Sequence, residues 1–179
     1  MVITDDPQFA EDARSFRNLC FQPGRRFVHQ ELGFNFRLTN LQAAIGAAQV
    51  QRIDDIVARK RRMGQKYNLQ LGDIPGLQLP IEESWARNVY WMYGVVVDEG
   101  TGMDALKFAQ GLAERGVETR PFFVGMHEQP ALHNRGLFLN EHYPVSERIA
   151  RQGLYLPSGL ALSDEQIDYV CEAVREVMS

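Results

Sequence analysis

Asn35 and Arg37 are the two side chains of this sequence whose types and spacing best suit the binding of an anion. The Asn35 amide can donate hydrogen bonds, and the planar guanidinium of Arg37 matches a phosphate or a carboxylate. Phe34 and Phe36 alternate with them and offer flat apolar surfaces. A helix is expected to follow directly, and its N-terminal N–H groups also favour an anion. The sequence therefore predicts an anion site here, unless the phenylalanines belong to the core and Arg37 forms a structural salt bridge.

Other patterns that could carry chemistry match known catalytic motifs poorly. The segment HEQPALH at 127–133 resembles a zinc motif, but its histidines are six residues apart and Pro130 interrupts any helix between them. Ser158 lacks the flanking glycines of a hydrolase nucleophile elbow. The chain contains neither GxGxxG nor a phosphate-binding P-loop pattern. We therefore predict no metal site, no serine hydrolase and no dinucleotide fold.

Charge and composition argue against nucleic acids and membranes as partners. The net charge is −4, whereas broad binding to nucleic acid or to a membrane surface requires a basic excess. The basic run at 59–62 is predicted to be a solvated helix face, because four consecutive residues span more than one helical turn. The longest apolar run, at 89–97, is too short to cross a bilayer as a helix. With no signal peptide and two cysteines expected to be reduced, the protein is predicted to be cytoplasmic.

The first seventy residues are predicted to contain two helices. A short strand at 2–4 precedes an amphipathic helix at 7–20, and 21–37 is predicted to be a loop. Thr39–Gln42 has the pattern of a capping box, so a helix should begin there. Roughly helical spacing of apolar residues continues without proline, which predicts one helix over 40–71. At about 1.5 Å per residue it would be about 48 Å long and would link two bodies.

Residues 75–179 are predicted to form a small α+β domain, a short sheet covered by helices, which places the chain in the mixed α/β class. Val89–Val97 is apolar on both faces and predicts a buried strand, and Val117–Phe123 predicts a second one. Helices are predicted at 103–115, 144–153 and 163–178.

Four segments resemble, in order, sequence blocks of one known family. GFNFRLTNLQAAIGAAQ at 33–49 resembles its G-Y-N-Y-R-L-T-N-x-Q-A-A-x-G-x-x-Q block. MVITDDPQFAEDARSFRN at 1–18, RPFF with the later HEQP, and GLYLPSGLALSDEQIDYV at 153–170 resemble three further blocks. The family is that of the DegT/DnrJ/StrS pyridoxal-phosphate-dependent aminotransferases, which install amino groups on nucleotide-linked keto-sugars. The resemblance covers nearly the whole chain.

The resemblance implies a fold and an assembly. The chain should be the rear part of a fold-type-I aminotransferase. Residues 1–40 would be a remnant of the large cofactor-binding domain with its cross-subunit loop. Residues 41–72 would form the linking helix, and 73–179 the small C-terminal α/β domain. Members of the family work as dimers with active sites at the subunit interface, so a homo-oligomer, a dimer in the simplest case, is expected.

The resemblance also implies roles for individual residues. Asn35 matches the residue that reaches the phosphate of the neighbouring subunit's cofactor, and Arg37 lies in the same cross-subunit loop. Phe34 belongs to this loop, on the substrate side, and His29 and His127 match positions near the sugar-nucleotide. Phenylalanine replaces the usual tyrosine at 34 and 36, so any hydrogen bond from those hydroxyls is lost.

The family's catalytic lysine lies in a segment like S-x-x-x-x-K-x-x-x-x-G-E-G-G, immediately before the strand that resembles the start of this chain. The residues that hold the cofactor ring are expected upstream of Met1 as well. Lys60, Lys66 and Lys107 lie in no matching context. We therefore expect this chain to contain no catalytic residue, to bind no pyridoxal phosphate by itself and to be inactive alone.

Three interpretations stay open from the sequence. The chain is part of a sugar aminotransferase, a stand-alone binding or assembly module without catalysis, or part of a dehydratase of the same family in which histidine replaces the lysine. The intact GFNFR loop favours part of an enzyme, because a module without cofactor has no physical need for that loop. Apolar residues of the first two helices, such as Phe9, Phe16 and Leu41, would need a partner surface, which also favours self-association.

Overall fold

The chain consists of two compact units, Met1–Arg52 and Ile53–Ser179. The computed structural model describes residues 2–22, 24–29 and 31–179. The parts of the predicted loop at 21–37 and of the family-like segment at 1–18 that fall on residues 1, 23 and 30 lie outside these described residues. Each unit is described by itself.

Helix α1 of the first unit, Pro7–Arg17, begins as the sequence predicts. The Asp6 side chain caps it by accepting hydrogen bonds from the backbone N–H groups of Gln8 and Phe9, at 2.9 and 3.1 Å. The helix ends three residues earlier than predicted, because Leu19 and Cys20 adopt positive φ values of 64° and 51°. These values lie outside the right-handed helical region, so the chain turns sharply there.

Two predictions for the first unit are wrong. Residues 2–4 form no strand, and the predicted loop at 21–37 contains a hairpin of β1, Phe21–Gln22, and β2, Arg25–His29. Gly24, at φ +74°, makes the reversal possible between the two strands. Strands this short carry too few residues to show an alternating pattern, which is why the sequence did not reveal them.

The predicted helix over 40–71 is divided in two in the structure: α2 is Asn40–Val50 and α3 is Ile53–Leu71. The predicted capping box at the start of α2 is confirmed, with Thr39 and Gln42 each accepting a backbone N–H of the other. At the end of α2 the N–H of Arg52 donates to the carbonyl of Gln49, three residues back instead of four. This tighter turn ends the regular helix.

The second unit contains a four-stranded antiparallel sheet in the order β3–β4–β6–β5. Its strands are β3 Leu77–Gln78, β4 Tyr93–Val97, β5 Arg120–Pro121 and β6 Gly153–Leu156. The strands predicted at 89–97 and 117–123 are both shorter than expected. Tyr90, at φ +49°, is not extended, and Pro121 has no N–H with which to continue a ladder.

Helices cover this sheet, as predicted. They are α3, α4 Ala105–Glu114, α6 Pro144–Gln152 and α7 Asp164–Met178. The unit also contains the single turn α5 Pro130–His133 and 3-10 turns at Glu99–Thr101 and Met126–Glu128. The core lies between the sheet and α3, α4 and α7. Its fully enclosed side chains are Tyr67, Leu71, Tyr93, Val95, Val97, Phe108, Leu112, Leu154, Leu156, Cys171 and Val174. The predicted small sheet covered by helices is confirmed.

The basic run in α3 is solvated only in part: Arg59 and Arg62 are exposed, whereas Lys60 and Arg61 are partly buried. Arg59 donates to the carbonyl of Leu160 at 2.6 Å, and Lys60 Nζ donates to the carbonyls of Trp91 and Ser158. Arg61 holds both carboxylate oxygens of Glu82, at 2.8 and 3.0 Å, and the carbonyl of Asn88. Consecutive residues point in different directions around a helix, so the run ties two loops to α3, the one between β3 and β4 and the one between β6 and α7.

Helix α7 depends on a capping box that the sequence predicts. The Ser163 hydroxyl accepts the N–H of Gln166 at 3.2 Å, and the Gln166 side chain accepts the N–H of Ser163 at 2.9 Å. Ser163→Ala is expected to lower the free energy of unfolding by about 1 kcal/mol, measured by urea denaturation. Ser146→Ala, an exposed serine inside α6 without a capping bond, is the matched control and should change it little. Equal effects of the two substitutions would contradict this role.

Three predicted absences concern membranes, metals and disulfides. Across 2–22, 24–29 and 31–179, none of the helices combines the length and apolar character needed to cross a bilayer. In the same residues no cluster of three or more acidic, histidine or cysteine side chains is placed to hold a metal. Both cysteines are buried thiols, and burial raises the pKa of the Cys171 thiol to about 11, which makes it a poor nucleophile.

Candidate functional site

The alternating residues of the predicted anion site lie on two sides of an extended segment. Phe34 and Phe36 stack with ring centroids 5.1 Å apart and planes 4° from parallel. Side chains two residues apart on an extended backbone point to the same side. Asn35 and Arg37 therefore share the other side, where Arg37 Nε donates to Asn35 Oδ1 at 3.0 Å. The spacing thus separates an aromatic face from a polar one.

The bond between Arg37 and Asn35 decides which groups remain available for a ligand. It uses the oxygen of the amide and one of the five N–H groups of the guanidinium. Within the described residues, the Asn35 amide nitrogen and the two terminal nitrogens of Arg37 make no other hydrogen bond. The free N–H groups of this arrangement outnumber its remaining acceptor site, and an acceptor such as a phosphate is the ligand that suits it. Arg37 forms no ion pair within these residues, so the salt-bridge alternative is not supported.

Backbone contacts with the end of α1 hold the segment in place. The N–H of Phe34 donates to the carbonyl of Phe16 at 2.7 Å, and that of Phe36 donates to the carbonyl of Arg17 at 3.1 Å. Asn18 and Asn35 form an antiparallel bridge. Gly33 lets the two backbones approach, because a Cβ there would stand 2.6 Å from the nitrogen of Cys20. The loop is thus fixed by main-chain bonds that do not depend on the identity of its side chains.

The two phenylalanine rings line a groove of about 750 Å³ within the first unit. The opposite walls are residues 2–4 and α1, including Phe16. Arg14 and Arg17 also line it, and they were not singled out from the sequence although their spacing of three places them on one helical face. The groove combines apolar rings with two guanidinium groups. Phe34 and Phe36 are more than half exposed, so they are not core residues.

His29 lies beside the same segment. Its Nδ1 donates to the carbonyl of Leu19 at 2.6 Å, while the N–H of Leu19 donates to the carbonyl of Phe34 at 3.0 Å. The backbone of Leu19 therefore bridges His29 and Phe34. Since Nδ1 carries the proton in this bond, Nε2 is left as an acceptor in the neutral ring. Four of the five predicted site residues, His29, Phe34, Asn35 and Arg37, thus belong to one unit and one cluster.

His127, the fifth predicted site residue, belongs to the second unit. It is 7% exposed, and its Nε2 donates to Glu147 Oε1 at 3.2 Å. The ring meets that of Tyr143 edge-on at 4.8 Å, and the carbonyl of His127 lies 2.5 Å from His133 Nε2. The hydrogen bond from the backbone N–H of Tyr143 lowers the pKa of the Glu147 carboxyl, and the hydrogen bond from His127 lowers it further. These contacts give His127 a structural function within its unit, and a role towards substrate stays a prediction.

The family assignment rests on a match over most of the chain. The model of the DegT/DnrJ/EryC1/StrS aminotransferase family matches residues 1–175. The chain belongs to this family. Family members are pyridoxal-phosphate-dependent aminotransferases, and the helices and small antiparallel sheet correspond to the C-terminal part of their fold. The resemblance seen in the sequence is therefore confirmed.

Individual relatives support the assignment. A GDP-perosamine synthase of Caulobacter vibrioides is 32% identical over 99% of this chain and 47% of its own length. The structure of DesV from Streptomyces venezuelae, in complex with a ketimine intermediate, superposes with a TM-score of 0.84 at 29% identity, over 98% of this chain and 46% of DesV. DesI, solved with its TDP-sugar product, gives a TM-score of 0.81 at 27% identity, over 98% of this chain and 44% of DesI. The chain spans about half the length of the curated relatives that it matches.

Proposed function

We propose that this chain provides the C-terminal half of a pyridoxal-phosphate-dependent aminotransferase that acts on a nucleotide-linked keto-sugar, and that it is inactive without an N-terminal half. The observation that carries this proposal is the donor pair of Asn35 and Arg37, fixed on the GFNFR segment. The chain covers under half of relatives whose names include GDP-perosamine synthase, which supports both the substrate class and the need for a second half.

The donor pair fits the cofactor's phosphate. A phosphate dianion accepts hydrogen bonds only, and Asn35 and Arg37 offer it the amide N–H groups and the terminal guanidinium N–H groups. Residues 1–40 act in this proposal as part of the large domain, 41–72 link the domains, and 73–179 form the small domain. Pyridoxal phosphate, when bound, supplies an electron sink for amino-group transfer. This chain's contribution is to bind and orient the phosphate.

The first unit also has the surface expected of a part that is covered in the complete enzyme. None of the described residues of α1 or α2 is buried, although α2 contains Leu41, Ile45 and Val50, all largely exposed. Soluble monomers rarely leave such helices uncovered. In the proposed enzyme the large domain and a second subunit cover them, and Asn35 reaches the phosphate in that second subunit. The complete protein is thus a homodimer.

A chimera tests the proposal. The N-terminal half of the Caulobacter relative is joined to this chain, which replaces the matching C-terminal half. The chimera, supplied with pyridoxal phosphate, an amino donor and the relative's keto-sugar substrate, is expected to form the amino-sugar, whereas this chain alone forms none. No lysine of this chain lies in a context that matches the family's catalytic lysine. The rate with this chain alone should therefore equal that of the uncatalysed control.

Two results would contradict the proposal. Amino-sugar formation by this chain alone would show that it contains a complete active site. A chimera that is dimeric and binds pyridoxal phosphate stoichiometrically, yet forms no amino-sugar with any nucleotide-linked keto-sugar offered, would favour a non-catalytic module. Dimerisation is measured by light scattering, and cofactor content by absorbance, so a chimera that failed to fold would be recognised and remade with another relative's N-terminal half.

A further inference from the structure

Residues 123–143 form a segment of the second unit that contributes no side chain to its hydrophobic core. Among residues 118–151, all of which the structure describes, His127 is the only buried one. Phe123, Val124 and Met126 are each more than half exposed. Since burial of apolar surface is the main force that fixes a segment to a domain, a larger share of the attachment of this segment falls to polar contacts.

One carboxylate joins both ends of this segment to α6. Oε1 of Glu147, on α6, accepts the Nε2–H of His127 at 3.2 Å and the backbone N–H of Tyr143 at 2.9 Å. Nδ1 of His142 lies 3.6 Å from the same oxygen. His127 lies near the start of the segment, whereas His142 and Tyr143 are its last two residues. The Glu147 side chain is 20% exposed, so salt and water screen these contacts less than they would on an open surface.

Further polar contacts extend from Glu147 along the segment. Arg151 Nη1 lies 3.7 Å from the other oxygen of Glu147, and Arg151 Nη2 donates to Glu128 Oε1 at 2.6 Å. His133 Nε2 lies 2.5 Å from the carbonyl oxygen of His127, which ties α5 to the 3-10 turn that contains His127. Two carboxylates, three histidines and one arginine therefore form one connected network, and Glu147 is its centre.

The groups around Glu147 make this network sensitive to pH. The hydrogen bond from Tyr143, then the hydrogen bond from His127 and the charges of His142 and His127, lower the pKa of the Glu147 carboxyl. Within the described residues, α4, β4 and β6 also pack on α6, and none of their ionisable side chains forms a hydrogen bond or an ion pair with Glu147. A lowered pKa means that Glu147 stabilises the fold above the ordinary pKa of a glutamate, and that this stabilisation is lost as the pH falls through the lowered value.

We propose that Glu147 is a pH-dependent latch that holds residues 123–143 on α6. The ionised carboxylate keeps the segment closed, and protonation weakens its charge-assisted bonds, so the segment opens while the sheet and its core stay folded. Histidines as a class gain their charge between about pH 8 and 5, and a protonated His127 or His142 beside the anion forms an ion pair. The latch is therefore tightest in mildly acidic solution and opens in stronger acid. This inference goes beyond the proposed function and holds whether or not the chain is part of an enzyme.

Hydrogen exchange of the unmodified full chain tests the latch. The reporters are the hydrogen-bonded amides of Gln129, Leu132 and Asn134, and each rate is divided by the intrinsic rate at the same pH. Protection of these amides is expected to rise about two- to five-fold from about pH 7.5 to 5.5, as the histidines gain charge. It should fall about ten-fold or more between about pH 5.5 and 3, because hydrogen bonds to a charged acceptor are lost. The amides of α7 should lose protection only at a lower pH than the reporters.

Substitutions assign the effect to the latch. Glu147→Gln keeps the size of the side chain and an acceptor oxygen but removes the charge. It is expected to lower the protection of the reporter amides about ten-fold at about pH 7.5 and to abolish their pH dependence down to about pH 3. Glu172→Gln is the matched control, because Glu172 is exposed on α7 and forms no hydrogen bond or ion pair within the described residues. It should leave both the protection and its pH dependence unchanged.

Three results would overturn the proposal. Equal protection of the reporter amides at about pH 5.5 and 3 in the unmodified chain would reject the latch without any variant, so the test does not depend on whether Glu147→Gln folds. Loss of protection in the segment and in α7 at the same pH would show acid unfolding of the whole unit instead of a local opening. Equal effects of Glu147→Gln and Glu172→Gln would show that other contacts hold the segment.

Discussion

Phe108→Ala is expected to lower the free energy of unfolding of the second unit by about 3–5 kcal/mol, the largest single effect predicted for this chain. The Phe108 side chain is fully enclosed, in the core between α4 and the sheet. Its removal loses the transfer free energy of a large aromatic side chain and leaves a cavity that tightly packed neighbours cannot fill. A loss of this size is comparable to the whole stability of a marginal domain.

Urea denaturation followed by tryptophan fluorescence measures this loss, because both tryptophans, Trp85 and Trp91, belong to the second unit. Leu106→Ala is the matched control, two residues earlier in the same helix, where the side chain is 77% exposed. It should change the free energy of unfolding by less than about 0.5 kcal/mol. A cost below about 1 kcal/mol for Phe108→Ala would show that α4 does not pack on the sheet as described.

Asn35→Ala, made in the chimera, is expected to weaken the binding of pyridoxal phosphate about ten- to a hundred-fold. A hydrogen bond to a charged group contributes about 1.5–3 kcal/mol, and each 1.4 kcal/mol corresponds to about a ten-fold change. The substitution also frees Arg37, whose Nε is held by the Asn35 oxygen. The fixed orientation of the guanidinium is therefore lost together with the amide donor.

The dissociation constant of pyridoxal phosphate is measured by equilibrium dialysis of the cofactor-free chimera. Gln51→Ala removes an exposed amide of the same unit that makes no side-chain hydrogen bond, and it should leave the constant unchanged. Circular dichroism verifies that both variants are folded. An unchanged constant in Asn35→Ala would mean that neither the Asn35 amide nor the orientation it gives to Arg37 contributes to cofactor binding, and a direct bond from Asn35 to the phosphate would be rejected.

Local features of the sequence were sufficient to predict where several helices begin or end. Helix caps are local: each capping side chain bonds to a backbone N–H three or fewer residues away. A few consecutive residues are therefore enough to predict the caps at Asp6, Thr39 and Ser163. The left-handed Gly116 after α4 is likewise a local signal, at φ +71°. The GFNFR segment allowed the side chains that share a face to be predicted for the same reason, since alternation along an extended backbone decides which of them lie together.

The interruption between α2 and α3 and the short hairpin were decided by the tertiary structure. Nothing in the types of Gln51 and Arg52 prevents a helix from continuing, and strands of two and five residues leave too short a pattern to reveal a hairpin. The same holds for the basic run in α3. Its charges look solvated in the sequence, but the carbonyls that Arg59 and Lys60 bind lie thirty-one to about a hundred residues away.

The sequence by itself was thus enough to predict the family, the domain of a small sheet covered by helices, and the separation of aromatic and polar side chains in the GFNFR segment. The tertiary structure alone decided that Arg37 Nε bonds to the Asn35 amide oxygen, that His127 is enclosed beside Glu147 and Tyr143, and that Trp91 and Arg120 line one groove. The physical reason is the range of the interactions. Capping and alternation act over a few residues and leave a pattern in the sequence, whereas grooves and enclosed side chains depend on segments that only folding brings together.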